Sequence, residues 1–71
     1  EVVVGKHTNI GPGVKIGGRT RIGKRTFIGI GTSVIDNINI GTNVIIGAGS
    51  VIIDNVKNNC TVVGVPGRVI K

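Results

Sequence analysis

Apolar residues recur along this chain every six positions. Read from Val4 in steps of six, the chain falls into VGKHTN, IGPGVK, IGGRTR, IGKRTF, IGIGTS, VIDNIN, IGTNVI, IGAGSV and IIDNVK. The first column is Val4, Ile10, Ile16, Ile22, Ile28, Val34, Ile40, Ile46 and Ile52, all β-branched. The second column is glycine in seven of nine cases, and the fifth holds Thr8, Val14, Thr20, Thr26, Thr32, Ile38, Val44, Ser50 and Val56. Neither ordinary element accommodates this pattern. A stretch such as VIIGAGSVIID (44–54) is too apolar for a half-exposed strand and too rich in glycine for a helix. Its β-branched residues favour extended backbone, while Gly-Ala-Gly interrupts any long extended run.

A six-residue unit of short strand and turn, repeated without helices, predicts an all-β parallel β-helix. The hexapeptide form resembles the left-handed parallel β-helix, in which three hexapeptides close one triangular coil of 18 residues. Nine hexapeptides then give three coils, with a β-helix over 1–57 and a closing strand or tail over 58–71. First-column residues 18 apart stack inside, about 4.8 Å per coil, so Ile10, Ile28 and Ile46 form one interior ladder.

The same period aligns three corners. One stacks Gly11-Pro12-Gly13, Gly29-Ile30-Gly31 and Gly47-Ala48-Gly49. Such a corner is either a tight turn that needs glycine or a track where an extended, amide-bearing ligand approaches bare backbone. A second stacks Lys6 and His7 beneath Lys24 and Arg25. Like charges one rung apart repel by about 1 kcal/mol per pair in water, less in salt, which a bound anion or a carboxylate of another subunit would relieve. The third sets Ile35 beside Ile53 and the turn formers Asp36-Asn37 beside Asp54-Asn55, an apolar ridge that serves corner packing or subunit contact.

Size and charge narrow the function. At 71 residues with one aromatic, Phe27, the chain holds a single marginal core, which favours an oligomer or a larger parent. The net charge of +6 suits an anionic ligand or a solvated basic surface. Nucleic acid is disfavoured, because one Phe supplies no stacking platform. No apolar run is long enough to span a membrane. Cys60 is the only cysteine, so no internal disulfide forms, as befits a cytoplasmic protein, and it is read as structural. The first residue is Glu1, which suggests a fragment or a processed chain.

The hexapeptides, followed by VVGVPGR (62–68), resemble the hexapeptide-repeat acyltransferases. That resemblance implies homotrimers with acyl-CoA in grooves between neighbouring β-helices. The tail resembles the family's ending, with Gly67 at a customary alanine, and is expected to close the last coil near the CoA. EVVVGKHTNIGPGVKIGG through IGAGSVII is similar to the C-terminal half of sialic acid O-acetyltransferases and nucleotide-amino-sugar N-acetyltransferases. Those relatives begin with a nucleotide-binding α/β domain that these residues do not include.

The resemblance implies a catalytic histidine followed by a carboxylate that orients it. Glu1 falls on the carboxylate, which puts the histidine one residue upstream and makes the isolated chain inactive. It also implies acetyl-CoA contacts at Asn9, where relatives often carry histidine, at Gly29, Ile30, Gly47 and Ala48 through the backbone, and at Arg68. The acceptor would be a sugar or nucleotide-sugar hydroxyl or amine. No metal is expected.

His7 is the one histidine present, but it sits among Lys6 and Arg25 and out of phase with the family motif. It is read as a surface or subunit contact. A β-helical carbonic anhydrase would need three histidines on zinc, and an ice-binding helix would point its threonines outward. A β-helix that only trimerises remains an alternative. So does serine acetyltransferase, which shares GAGSV and VVGVP.

Overall fold

The computed structural model describes residues 1–71, an all-β chain without helix, coiled as a left-handed parallel β-helix. Three faces carry the strands. The first holds β1 (Val3–Val4), β4 (Arg21–Ile22) and β7 (Asn39–Ile40). The second holds β2 (Asn9–Ile10), β5 (Phe27–Ile28), β8 (Ile45–Ile46), β10 (Thr61–Val63) and β11 (Arg68–Val69). The third holds β3 (Lys15–Ile16), β6 (Ser33–Val34) and β9 (Val51–Ile52). Each strand in the first two coils pairs in parallel with the strand 18 residues on, as in Asn9↔Phe27↔Ile45.

The expected columns point inward. Ile22, Ile28, Val34, Ile40, Ile46 and Ile52 form the core, joined from the fifth column by Ile38 and Val44. A triangular coil encloses little volume, so compact β-branched side chains fill it, and the one aromatic residue stays outside. Threonine occupies the remaining inward sites because each hydroxyl has a backbone partner. Thr8 Oγ1 donates to the Gly23 carbonyl at 2.6 Å and Thr26 Oγ1 to that of Gly41 at 2.8 Å. Thr8 Oγ1 accepts from Thr26 N–H at 3.2 Å, and Thr26 Oγ1 from Val44 N–H at 3.3 Å. No buried side-chain polar atom lacks a partner, so the cost of desolvating these sites is offset.

The third coil departs from the 18-residue expectation. Val56 does not stack on Ile38 but bridges Ile40, and Thr61 pairs with Ile45, both 16 residues apart. Two residues are missing from the corner after Ile52. In lower coils the strand amide on the first face bonds a backbone carbonyl: Val3 N–H to Thr20 and Arg21 N–H to Ile38. In the shortened coil that carbonyl is displaced, and Asn55 Oδ1 accepts from Asn39 N–H at 2.8 Å instead. Asn55 therefore does not stack on Asn37 as the sequence period implies, although the Val34↔Ile52 register keeps Ile35 beside Ile53. Asn58 makes a similar substitution, accepting from Thr42 N–H at 2.8 Å.

Coiling also continues past Lys57. Ile45 N–H donates to the Cys60 carbonyl as Phe27 N–H does to that of Val44, so Cys60 takes a rung in the ladder and packs against the core. Only β11 runs antiparallel, with Val63↔Arg68 in register. The tail folds over the last rung: Gly67 N–H bonds the Val51 carbonyl at 2.7 Å. A Cβ on Gly67 would lie 2.8 Å from Ile52 Cδ1 and 2.9 Å from Val62 Cγ1, so the tail seals this end of the core.

Candidate functional site

Apart from the shortened corner after Ile52, the corners turn through residues with positive φ, and the three stacks solve this differently. Between the first and second faces the residues are His7, Arg25, Asn43 and Asn59, and between the third and first they are Arg19 and Asn37. Between the second and third faces they are Gly13, Gly31 and Gly49, with Gly64 following β10 where the tail bonds Val51. Left-handed backbone costs an ordinary L-residue about 1–2 kcal/mol, least for Asn and Asp. This chain accepts that cost even for arginine, so the turn alone does not demand glycine. A Cβ on Gly31 or Gly49 would meet nothing within 4 Å. Glycine at these two positions leaves only the side chains of Pro12, Ile30 and Ala48 standing on the corner.

The glycines at the start of the same corner have another cause. A Cβ on Gly29 would lie 2.6 Å from Ala48 N and 2.9 Å from the Gly47 carbonyl carbon, and a Cβ on Gly11 would lie 2.9 Å from Ile30 N. Backbone of the next coil occupies that space. Both readings of Gly-x-Gly are therefore present, one residue type serving coil stacking at Gly29 and an open surface at Gly31.

Along the cleared corner, Gly31 N–H bonds the Pro12 carbonyl at 3.0 Å and Gly49 N–H that of Ile30 at 2.8 Å. The N–H groups of Ile30 and Ala48 and the carbonyl of Ala48 take no part in these bonds, and both residues are exposed. Beside the corner lies an open groove of about 380 Å³ lined by Asn9, Ile10, Gly11, Pro12, Phe27 and Ile30. Of its walls, Phe27 stands in register with Ile45 on the second face, and both are exposed. Arg68 pairs with Val63 on this sheet's opposite edge from Asn9. Four strand spacings of about 4.8 Å put them about 19 Å apart. The structure thus gathers Asn9, Gly29, Ile30, Gly47 and Ala48 along one corner, with Arg68 at the far end of the adjoining face. Phe27 escaped sequence reasoning, although an aromatic in the outward sixth column marks it.

Glu1 lies elsewhere. It borders a second open groove of about 390 Å³, with Val3, Arg19, Arg21 and Asn37, at the corner between the third and first faces. Within one chain Glu1 and the glycine corner share no groove. His7 occupies the basic corner, where Arg25 N–H bonds the Lys6 carbonyl at 3.0 Å, and it lines neither groove. No group of three His, Cys, Asp or Glu is placed to hold a metal ion, and no helix is long and apolar enough to cross a membrane.

Comparison with solved structures finds this β-helix in acetyltransferases. PerB from Caulobacter crescentus, in complex with CoA and GDP-perosamine, is 30% identical over 99% of this chain and 34% of its own, with a TM-score of 0.96. Serine acetyltransferase from Neisseria gonorrhoeae is 38% identical over 99% of this chain and 30% of its own, with a TM-score of 0.94. The acetyltransferase domain of PglB from Neisseria gonorrhoeae, in complex with acetyl coenzyme A, is 35% identical over 89% of this chain and 31% of its own, with a TM-score of 0.87. The chain thus spans about a third of the length of these proteins. No curated protein sequence matches it. The family model for the bacterial transferase hexapeptide (six repeats) matches residues 19–54. With half the chain matched and its coils built from those repeats, the protein belongs to the bacterial transferase hexapeptide family.

Proposed function

We propose that this chain is the β-helical part of a cytoplasmic, acetyl-CoA-dependent acetyltransferase that modifies a sugar or nucleotide-sugar hydroxyl or amine. One observation carries the reading: the positive-φ residues are glycine only at the corner where Ile30 and Ala48 present free backbone groups beside an apolar groove. The amide-bearing arm of acetyl-CoA would lie there, between Asn9 and Ala48, with its phosphates towards Arg68. PerB and the PglB domain, bound to CoA and acetyl coenzyme A, support that donor.

Glu1 would orient a histidine immediately upstream. That histidine takes the proton from the acceptor's oxygen or nitrogen, which forms a bond to the acetyl carbonyl carbon. The carbon–sulfur bond then breaks, and the CoA thiolate leaves and is protonated. The Ile30 or Ala48 N–H would stabilise the transient oxyanion. Because Glu1 and the glycine corner occupy different grooves of one chain, the reaction requires two neighbouring copies, which the homotrimer of the reading supplies. The exposed Phe27 and Ile45 would lie in that contact. Positioning two substrates in one groove is the main catalytic contribution.

Similarity to serine acetyltransferase favours a second acceptor, the serine hydroxyl, with the same donor and corner. Calorimetric titration of acetyl-CoA, with the oligomeric mass measured alongside, tests the proposal. Saturation near one ligand per chain in a trimer is expected. A trimer that ignores acetyl-CoA would make the β-helix an assembly scaffold.

A further inference from the structure

The groove at the corner between the third and first faces has a composition of its own. Its walls are Glu1, Val3, Arg19, Arg21 and Asn37. We propose that this groove binds an oxyanion, phosphate or carboxylate, belonging to the acceptor. The assignment rests on the acetyltransferase reading, because it is the nearness of Glu1 that makes the bound anion part of the acceptor.

Two arginines reach the groove by different routes. Arg21 stands outward on β4, between Val3 below and Asn39 above in the strand register. Both neighbours are short and uncharged, so neither competes for its guanidinium. Arg19 stands at the preceding corner with φ 58°, where this chain uses Asn one coil higher. A left-handed arginine is less favourable there than asparagine, yet it brings a second guanidinium to the mouth of the same groove. None of the side-chain hydrogen bonds in the structure involves either group. The forked donors of two arginines, with the Asn37 amide beside them, match the oxygens of a phosphate or carboxylate. Among the walls Glu1 is the only carboxylate; Asp36, next along the corner, does not line the groove.

The basic corner is the natural control. Lys6, His7, Lys24 and Arg25 also concentrate charge, but they line neither groove. If anions respond only to net charge, that corner should bind them equally well.

The test is a titration of the isotopically labelled chain by NMR at about 150 mM salt, where the Debye length is about 8 Å and diffuse attraction is weakened. Inorganic pyrophosphate and acetate serve as probes, each with and without saturating acetyl-CoA. Expected are saturable shifts of the Arg19 and Arg21 Nε–H signals and the Asn37 amide. Arg19→Gln and Arg21→Gln should each weaken binding about tenfold, while Lys24→Gln changes it less than about twofold. Tighter pyrophosphate binding would identify a phosphate-bearing acceptor, and comparable acetate binding a carboxylate; either supports the site. Equal effects of Lys24→Gln and Arg21→Gln would overturn it as diffuse surface charge. Displacement of pyrophosphate by acetyl-CoA would overturn it too, by giving the arginines to the donor's phosphates. The Ile30 and Ala48 amides report acetyl-CoA in the same spectra. If they stay still while Arg19 and Arg21 respond, the acetyltransferase reading fails and with it the acceptor assignment. The reverse pattern overturns the oxyanion site alone.

Discussion

Replacing Gly31 with asparagine separates the two uses of glycine at the corner. Asn is the residue this chain already places at positive φ at positions 37, 43 and 59. At position 31, φ is 72° and the space where a side chain would begin is empty. The left-handed cost to Asn is below the roughly 1–2 kcal/mol of an ordinary residue. Loss of glycine's freedom in the unfolded chain returns about 0.4–1 kcal/mol. Stability should therefore change by less than about 1 kcal/mol. The new side chain stands on the proposed track, so acetyl-CoA affinity should fall at least about tenfold, equivalent to about 1.4 kcal/mol. Gly29→Ala is the counterpart. Its Cβ would meet Ala48 N at 2.6 Å and Ala48 Cα at 2.9 Å, backbone that cannot move without opening the coil. The Gly29 N–H bond to the Ile46 carbonyl, now 2.8 Å, would stretch with it. A loss of about 3 kcal/mol is expected, a large share of a small domain's stability of about 5 kcal/mol. Urea unfolding gives the stabilities and calorimetry the affinities. The reasoning is refuted if Gly31→Asn destabilises as strongly as Gly29→Ala, or if it leaves acetyl-CoA binding untouched.

Three further outcomes follow from the core and the short coil. Thr26→Val keeps the shape but strips partners from the Gly41 carbonyl and Val44 N–H, and should cost about 2–4 kcal/mol in urea unfolding. Asn55→Ala should lower stability by about 1 kcal/mol. In hydrogen exchange it should expose the Asn39 amide and leave that of Arg21 protected, because only Asn39 depends on the side chain. Ile46→Ala should cost about 2–5 kcal/mol, whereas Ile10→Ala, on a residue 40% exposed at the lower coil, should cost under about 2 kcal/mol by thermal or urea melts.

The coil and its inward columns were legible because they follow from a strict repeat: burying one aliphatic every six residues leaves few other geometries. The inward threonines were legible for the same reason, though only coordinates reveal that Thr8 and Thr26 bond across coils. The 16-residue coil was hidden. Asp54-Asn55 looks identical to Asp36-Asn37, and nothing in the residue types says that Asn55 turns its amide into the ladder. A signal lay further on, where Asn59-Cys60-Thr61-Val62 aligns with Asn43-Val44-Ile45-Ile46 at a spacing of 16. At the site, Gly-x-Gly was visible but its two physical causes were not, since separating Gly29 from Gly31 needs the position of Ala48. Arg19 and Arg21 read as ordinary surface charge until the fold set them around one groove.

The antiparallel strand β11 decides where the parallel ladder of the second face stops. A parallel coil ends in open edges on all three sides, each a template onto which a further chain could add without limit, as in a fibre. Here the edges at the C-terminal end are taken. Thr61 and Val51 exchange bonds with the tail, through Ile70, Lys71, Gly64 and Gly67, and Val56 terminates the remaining face. Reversing the direction of one two-residue strand removes the register that an incoming parallel strand would copy. The repeat that makes the β-helix simple to build is thus interrupted by one reversed strand, and the parallel ladder of the second face stops at β10.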